Sequence, residues 1–219
     1  MLIGLRRKFI FVANMKTASS AIETVLKPLA EIVITDSEFG KHLPFSIIEQ
    51  RFSWIFEYVP QVDFFIFGVI REPIDFIVSL YNFHSRADFE LRPRLYTGAI
   101  GFDAFLSNWC ADNCDQIEPQ HWKFLDRDGH IAPNFIVSYQ RLTKGLTYVA
   151  NRIDAPALRK MPMINVSNEL LSRHDLTAYQ RSWIAEMFAD DYRFLERFCD
   201  RLLTPAEQQG WRNHMRAVA

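Results

Sequence analysis

Residues 8–26 of the chain read KFIFVANMKTASSAIETVL, and this stretch decides which fold the sequence predicts. An apolar run over residues 8–13 indicates a buried strand, and helical spacing of apolar residues resumes over residues 20–30. The connection between them is short, polar and centred on Lys16. A strand, a tight loop and a helix N-terminus direct backbone N–H groups toward an anion, and a lysine adds a point charge. The stretch therefore predicts an anion-binding loop, although it has none of the glycines of the triphosphate-binding loop G-x-x-x-x-G-K-[ST].

Strands and helices alternate along the rest of the chain. Apolar runs predict further strands over residues 31–35, 64–70 and 134–139. Helical spacing predicts helices over residues 45–59, from Pro73 onward, and over residues 176–198. This order predicts an α/β fold with a central, mostly parallel sheet flanked by helices. Ligands of such folds bind at the carboxyl ends of the strands.

The composition limits the kinds of partner that we expect. The 219 residues carry a formal net charge of −1 with a pI near 6.6, so no overall field favours nucleic acid or a membrane surface. The longest apolar runs are too short to span a bilayer, and the start of the chain reads as mature protein. Three cysteines, Cys110, Cys114 and Cys199, do not form a disulfide framework, and we expect a reducing, cytoplasmic compartment.

Polar residues follow two of the predicted strands in a pattern that resembles a known family. The segments KTASSAIE, which starts at Lys16, and REPIDFIVSLYN, which starts at Arg71, resemble the two nucleotide-binding signatures of sulfotransferases that use 3′-phosphoadenosine 5′-phosphosulfate. The likeness is greatest to the carbohydrate branch. It continues in family order through EPQHWKFL, NFIVSYQRL, INVS and IAEMFADDYRFL, so it covers most of the chain.

The resemblance implies a fold, a donor and a set of binding residues. It implies one P-loop-NTPase-like domain over residues 1–219, with 3′-phosphoadenosine 5′-phosphosulfate as donor, adenosine 3′,5′-bisphosphate as product and no metal. The acceptor would be a hydroxyl, most simply of a saccharide. In the family's pattern, Lys16 stabilises the leaving phosphate during sulfuryl transfer. The residues implied in donor binding are Lys16, Thr17, Ala18, Ser19 and Ser20 for the 5′-phosphosulfate, Arg71 and Ser79 for the 3′-phosphate, and Asn165 and Ser167 closing over the nucleotide.

An acceptor hydroxyl needs a base, and three residues are candidates. His42 is the first choice because GKHLPF resembles a histidine-containing loop that borders the acceptor site in carbohydrate sulfotransferases. Glu38 and His84 are the alternatives. The loop over residues 87–101 is expected to border the same cleft.

Two departures from the family's pattern keep other functions open. Ala21 stands where a hydroxyl is usual, and Phe76 replaces a frequent arginine, which removes charge from the 3′-phosphate site. A non-catalytic nucleotide-binding module is therefore one alternative, and a P-loop-like kinase is another. For Arg71 the alternative is a structural ion pair with Asp75 or Glu72.

Overall fold

In the part of the chain that the structure describes, five strands form one open sheet. The structure is a computed structural model, and it describes residues 1–34, 40–162 and 170–211. The strands lie in the order β3-β1-β2-β4-β5. Their bounds are β1 Leu2–Gly4, β2 Phe9–Val12, β3 Ile32–Val33, β4 Phe65–Ile70 and β5 Phe135–Ser138.

Helices of very different length surround the sheet. The α-helices are α1 Ser19–Leu26, α2 Phe45–Arg51, α3 Trp54–Tyr58, α4 Pro73–His84, α5 Phe102–Ala104, α6 Cys110–Asp112, α7 Leu142–Arg152, α8 Ala178–Met187, α9 Ala189–Phe198 and α10 Pro205–Gln209. A π-helical turn, Phe105–Trp109, joins α5 to α6, and 3₁₀ turns include Lys27–Leu29, Ala87–Phe89 and Gln120–Phe124. No helix in the described ranges is long and apolar enough to cross a membrane.

The parallel part of the sheet is its centre. β2 pairs with β4 and β4 pairs with β5 in parallel, which confirms the predicted parallel arrangement for these three strands. The prediction missed β1, which pairs with both β2 and β3 in the antiparallel sense. β1 has only three residues and no alternating pattern, so nothing in the sequence distinguished it from the lead-in to β2.

The two faces of the sheet carry separate cores. Ile10 and Val12 of β2 belong to the first core, with residues of α2, α3 and α9, whereas Phe9 and Phe11 belong to the second core, with residues of α1 and α7. This alternation is the period-two pattern of a strand whose two faces are both covered. A third core joins α4 to α8 and the segment from α5 to α6, to one side of the sheet.

Two predicted helices are each broken in two. The helix predicted over 45–59 is α2 and α3, separated at Phe52, where φ is −125° and ψ is 25°. The helix predicted over 176–198 is α8 and α9, separated at Phe188. This break lets α8 place Ile184 in the third core while α9 places Phe194 in the first. Helical periodicity alone does not reveal a break that leaves the spacing of apolar residues nearly unchanged.

Gly68 lets the 3₁₀ turn Gln120–Phe124 lie directly on β4. A Cβ atom at this position would be 2.3 Å from a ring atom of Phe124 and 3.0 Å from the Val12 carbonyl oxygen. Phe124 is fully buried between the sheet and α9, where its ring stacks on Phe194. The missing side chain therefore sets how closely residues 120–124 approach the end of β4.

We expect Gly68→Ala to destabilise the protein by about 1–3 kcal/mol, because the added methyl group overpacks a site that includes backbone. Urea denaturation followed by circular dichroism measures this loss. Gly101→Ala is the matched control, since nothing lies within 4 Å of a Cβ atom there. Equal stability of the two variants would show that the contact of Phe124 with Gly68 is not tight.

Candidate active site

The loop after β2 holds an unusual backbone conformation. Lys16 has φ of 56° and Ala18 has φ of 58°, so two residues with side chains occupy the left-handed region that glycine favours. The Thr17 side chain between them is fully buried, and its hydroxyl donates to the Asn14 carbonyl at 2.9 Å. That bond stabilises the turn. It also leaves the backbone N–H as the group through which Thr17 can contact an anion.

The start of α1 leaves backbone donors without partners. Ala18 is the N-cap of α1, and no side chain caps the helix. Within the described part of the chain, no backbone N–H from Lys16 to Ser20 donates a hydrogen bond. Unpaired N–H groups and the positive end of the helix dipole together favour a bound anion.

Lys16 lies in this loop without an acidic partner. Its ammonium is 3.7 Å from the centre of the Phe83 ring, and no carboxylate of the described residues lies within ion-pairing distance. Burial, with smaller effects from Arg71 and Arg86, lowers the pKa of Lys16 from 10.5 to about 7. A cation in these surroundings gains free energy when an anion approaches it.

Arg71 lies at the end of the neighbouring strand and contacts the same loop. Its Nη1 donates to the Lys16 carbonyl at 3.1 Å, and its guanidinium stacks on the Tyr139 ring at 4.4 Å. Its Nε is buried and has no partner among the described residues. Burial lowers the pKa of Arg71 from its usual value.

The carboxylates of Asp75 and Glu72, which the sequence offered as ion-pair partners of Arg71, are paired with Arg173 instead. Arg173 lies 3.0 Å from Asp75 and 3.7 Å from Glu72, and Gln140 donates to Asp75 at 3.1 Å. The alternative interpretation of Arg71 as the partner of those carboxylates is therefore wrong. Arg71 lines the cleft, and no carboxylate of the described residues is bonded to its guanidinium.

Lys41 adds a second ammonium beside the loop. It donates to Ser20 Oγ at 2.8 Å and pairs with Glu23 Oε2 at 2.9 Å. Glu23 is a buried acid on α1, which otherwise buries small and apolar side chains. Sequence reasoning missed Lys41, although a charged residue on the buried face of α1 was a signal that a cation would lie opposite.

Two of the three candidate bases reach the site, and the third falls outside the described residues. His42 Nδ1 lies 3.3 Å from the Ala13 carbonyl; a proton on Nδ1 makes this a hydrogen bond and leaves the lone pair on Nε2. Burial, then the charge of Lys41, lowers the pKa of His42 to about 4. His84 is more deeply buried, with Nδ1 2.9 Å from the Leu95 carbonyl and its ring stacked on Phe89. Glu38 is the candidate that falls outside.

One cleft of about 1100 Å³ brings these residues together. The predicted site residues that line it are Lys16, Thr17, Ala18, Ser19, Ser20, His42, Arg71, Ser79 and His84. Asn165 and Ser167 fall outside the described residues. Arg159, Lys160 and Arg173 also line the cleft, and sequence reasoning did not select them because they lie in irregular segments.

The two departures from the family's pattern lie in different surroundings. Ala21 is almost fully buried and lies at the lining of the cleft. Phe76 instead is buried in the third core, with its ring 5.9 Å from that of Phe188. In this structure position 76 is therefore part of the core and not of the cleft lining.

Trp109 and Trp122 contribute to packing, and the acidic, histidine and cysteine side chains do not form a metal site among the described residues. Trp109 is buried, stacks on Phe105 and donates its indole N–H to the Leu95 carbonyl, and Trp122 packs against the first core. In residues 1–34, 40–162 and 170–211, no three His, Cys, Asp or Glu side chains converge as metal ligands.

Comparison with known proteins gives one match. A family model described as the sulfotransferase family matches residues 6–197. This range contains β2, β4, β5 and every described residue that lines the cleft. No curated protein and no solved structure matches the chain.

We expect Lys16→Met to stabilise the ligand-free protein on the order of 1 kcal/mol or more at pH 6. Folding lowers the pKa of Lys16 to about 7, so at pH 6 the folded protein holds a charge in unfavourable surroundings. Between pH 7 and about 10 the folded protein releases that proton while the unfolded chain keeps it. The wild type therefore gains stability as the pH rises, and the advantage of the variant shrinks.

Thermal denaturation at pH 6, 8 and 9.5, in buffers without phosphate or sulfate, measures the difference. Lys144→Met, at an exposed position on α7, is the control and should show no such trend. A stability difference for Lys16→Met that stays constant across this pH range would contradict the unpaired, desolvated ammonium.

Proposed function

The chain belongs to the sulfotransferase family, and from this premise we propose that it transfers a sulfuryl group from 3′-phosphoadenosine 5′-phosphosulfate to a hydroxyl of a carbohydrate or similarly polar acceptor. The observation that carries the proposal is the pair of partly buried cations, Lys16 and Arg71, after the ends of two adjacent parallel strands. Neither pairs with a carboxylate of the described residues.

The donor's two phosphate groups match what the cleft offers. The unpaired N–H groups at the start of α1, the hydroxyls of Ser19 and Ser20, and Lys16 suit a 5′-phosphosulfate. Arg71, whose buried Nε lacks a partner, and Ser79 suit a 3′-phosphate. Asn165 and Ser167 stay part of the proposed donor site through the resemblance of their motif.

The position of Phe76 supports a catalytic rather than a degenerate site. Because that ring belongs to the third core, the proposed 3′-phosphate site does not depend on position 76. Arg159 and Lys160 line the same cleft and supply positive charge that the sequence pattern at position 76 lacks.

In the proposed reaction, Lys16 and the N–H groups of its loop act on the leaving phosphate, and a histidine acts on the acceptor hydroxyl. A bound phosphosulfate supplies a sulfuryl group joined to a phosphate leaving group. Lys16 stabilises the negative charge that grows on the leaving oxygen, which lowers the transition state more than the ground state. The N–H groups of the loop hold the phosphate in line with the acceptor without reorganising during the reaction.

His42 is proposed as the base on the acceptor side. Its neutral form, with the lone pair on Nε2, accepts the hydroxyl proton as the acceptor oxygen attacks sulfur. Burial lowers the pKa of His42 to about 4 in the free protein, so the ring is neutral at physiological pH. Negative charge entering the cleft raises the pKa of His42 toward the range that suits a general base. His84, which lines the same cleft, is the alternative base.

We expect transfer of label from ³⁵S-labelled donor to at least one acceptor in a panel of saccharides, lipids and small alcohols. The rate should be unchanged by EDTA, since the charge of the leaving group is assigned to Lys16 and to N–H groups. Strict dependence on Mg²⁺, with transfer of phosphate from ATP, would instead favour the kinase alternative.

Lys16→Ala should reduce the rate of transfer on the order of a hundredfold or more, as removal of one preorganised charge contact typically does. Lys16→Arg should restore only part of the rate, because a planar fork does not occupy the place of a compact ammonium in this turn. Single-turnover rates measured beside Lys144→Ala, at an exposed position on α7, provide the comparison. Near-normal transfer by a folded Lys16→Ala protein would exclude Lys16 from the chemical step.

A further inference from the structure

The Gln120 side chain holds the backbone of Arg71 on both sides. Its Oε1 accepts a hydrogen bond from the Arg71 N–H at 3.0 Å, and its Nε2 donates to the Arg71 carbonyl at 2.8 Å. Arg71 is the first residue after β4, where pairing with β5 has ended. The side-chain amide of Gln120 thus makes the two backbone hydrogen bonds to Arg71 that a neighbouring strand would make if the sheet extended one residue further.

Gln120 is itself held in place by two buried side chains. Asn14 Nδ2 donates to the Gln120 carbonyl at 3.2 Å, and Asp191 Oδ2 accepts from the Gln120 N–H at 2.9 Å. All three residues are almost completely buried. Asn14 opens the loop that carries Lys16, so Gln120 joins the ends of β2 and β4.

The direction of the Arg71 fork depends on that backbone. The fork is fixed by one bond, from Nη1 to the Lys16 carbonyl, and by stacking on Tyr139. Its Nε stays buried without a partner in the described chain, although an unsatisfied group of this kind is costly. A small shift of the Arg71 backbone would turn the fork away from whatever anion satisfies Nε.

We propose that Gln120 is a positioning residue of the 3′-phosphate site, since its amide fixes the Arg71 backbone and so aims the guanidinium at that phosphate. The inference rests on the proposed function, which assigns the 3′-phosphate of the donor to Arg71. Gln120 contacts Arg71 through the backbone only, so its role is one of geometry and not of charge.

Calorimetry with adenosine 3′,5′-bisphosphate and adenosine 5′-monophosphate tests the proposal. The ratio of the two dissociation constants measures the contribution of the 3′-phosphate alone. We expect Gln120→Met, which has similar volume and no hydrogen-bonding amide, to reduce this ratio about tenfold or more, while affinity for the monophosphate changes little.

Gln180→Met is the matched control for general loss of stability. Gln180 is also buried, and its amide also makes two hydrogen bonds, accepting from the Thr177 N–H and donating to Asp103 at 2.7 Å. It lies in α8 and does not line the cleft. We expect this variant to lose stability and to keep the wild-type ratio.

A double-mutant cycle separates positioning from structural damage. In an Arg71→Ala background the fork is absent, so Gln120→Met should have no further effect on the ratio. Equal effects of Gln120→Met in the two backgrounds would overturn the proposal. A folded Gln120→Met protein with the wild-type ratio would overturn it as well.

Gln120→Glu serves if Gln120→Met does not fold. It keeps the shape and the acceptor for the Arg71 N–H, and it places a carboxylate oxygen against the Arg71 carbonyl. The same reduction of the ratio is expected, and a wild-type ratio would again reject the proposal. If the wild-type protein itself shows no preference for the bisphosphate, the 3′-phosphate assignment fails. A wild-type preference that survives in both Gln120 variants refutes the role of Gln120 alone.

Discussion

Parallel pairing of β2 with β4 brings the ends of both strands to one edge of the sheet, and the residues proposed to bind the donor extend from that edge. Val12 of β2 lies opposite Gly68 of β4, so the loop with Lys16 and the turn with Arg71 begin side by side. Because position 68 has no side chain, the turn Gln120–Phe124 can lie on β4 and reach the Arg71 backbone. The relative placement of the two cations therefore follows from strand register and from one close contact.

The cleft collects more positive charge than its carboxylates neutralise. Lys41 is paired with Glu23, and Arg173 is paired with Asp75, but Lys16 and Arg71 have no such partner among the described residues. Burying a cation without an anion costs stability, and binding of an anion recovers it. The left-handed conformations of Lys16 and Ala18 add backbone strain of the kind found at functional sites. The folded protein thus accepts local instability at the place where the proposed donor would supply the missing interactions.

The division of the apolar residues among three cores accounts for the phenylalanine at position 76, where the family's sequence pattern often has an arginine. The third core, away from the sheet, encloses α4 between α8 and the helices from α5 to α6. Phe76 lies in this core, whereas Ser79, one helical turn further along α4, lines the cleft. The break at Phe188 allows α8 to complete this core while α9 turns Asp191 toward the backbone of Gln120. The packing of α8 and α9 is thereby connected to the geometry of the Arg71 turn.

The sequence by itself determined the central strands and the positions of Lys16 and Arg71 after two of them, because strand and helix periodicities and the polar residues at strand ends are local properties. It identified β2, β4 and β5 and placed Lys16 and Arg71 at one edge of the sheet. It did not find β1, the breaks at Phe52 and Phe188, or the roles of Lys41, Gln120 and Arg173. Those depend on contacts between residues far apart in the chain, such as Gln120 with Arg71 and Glu23 with Lys41. Only tertiary packing decides which of many polar side chains meets which backbone group, since an amide or an ammonium carries no local signal of its distant partner.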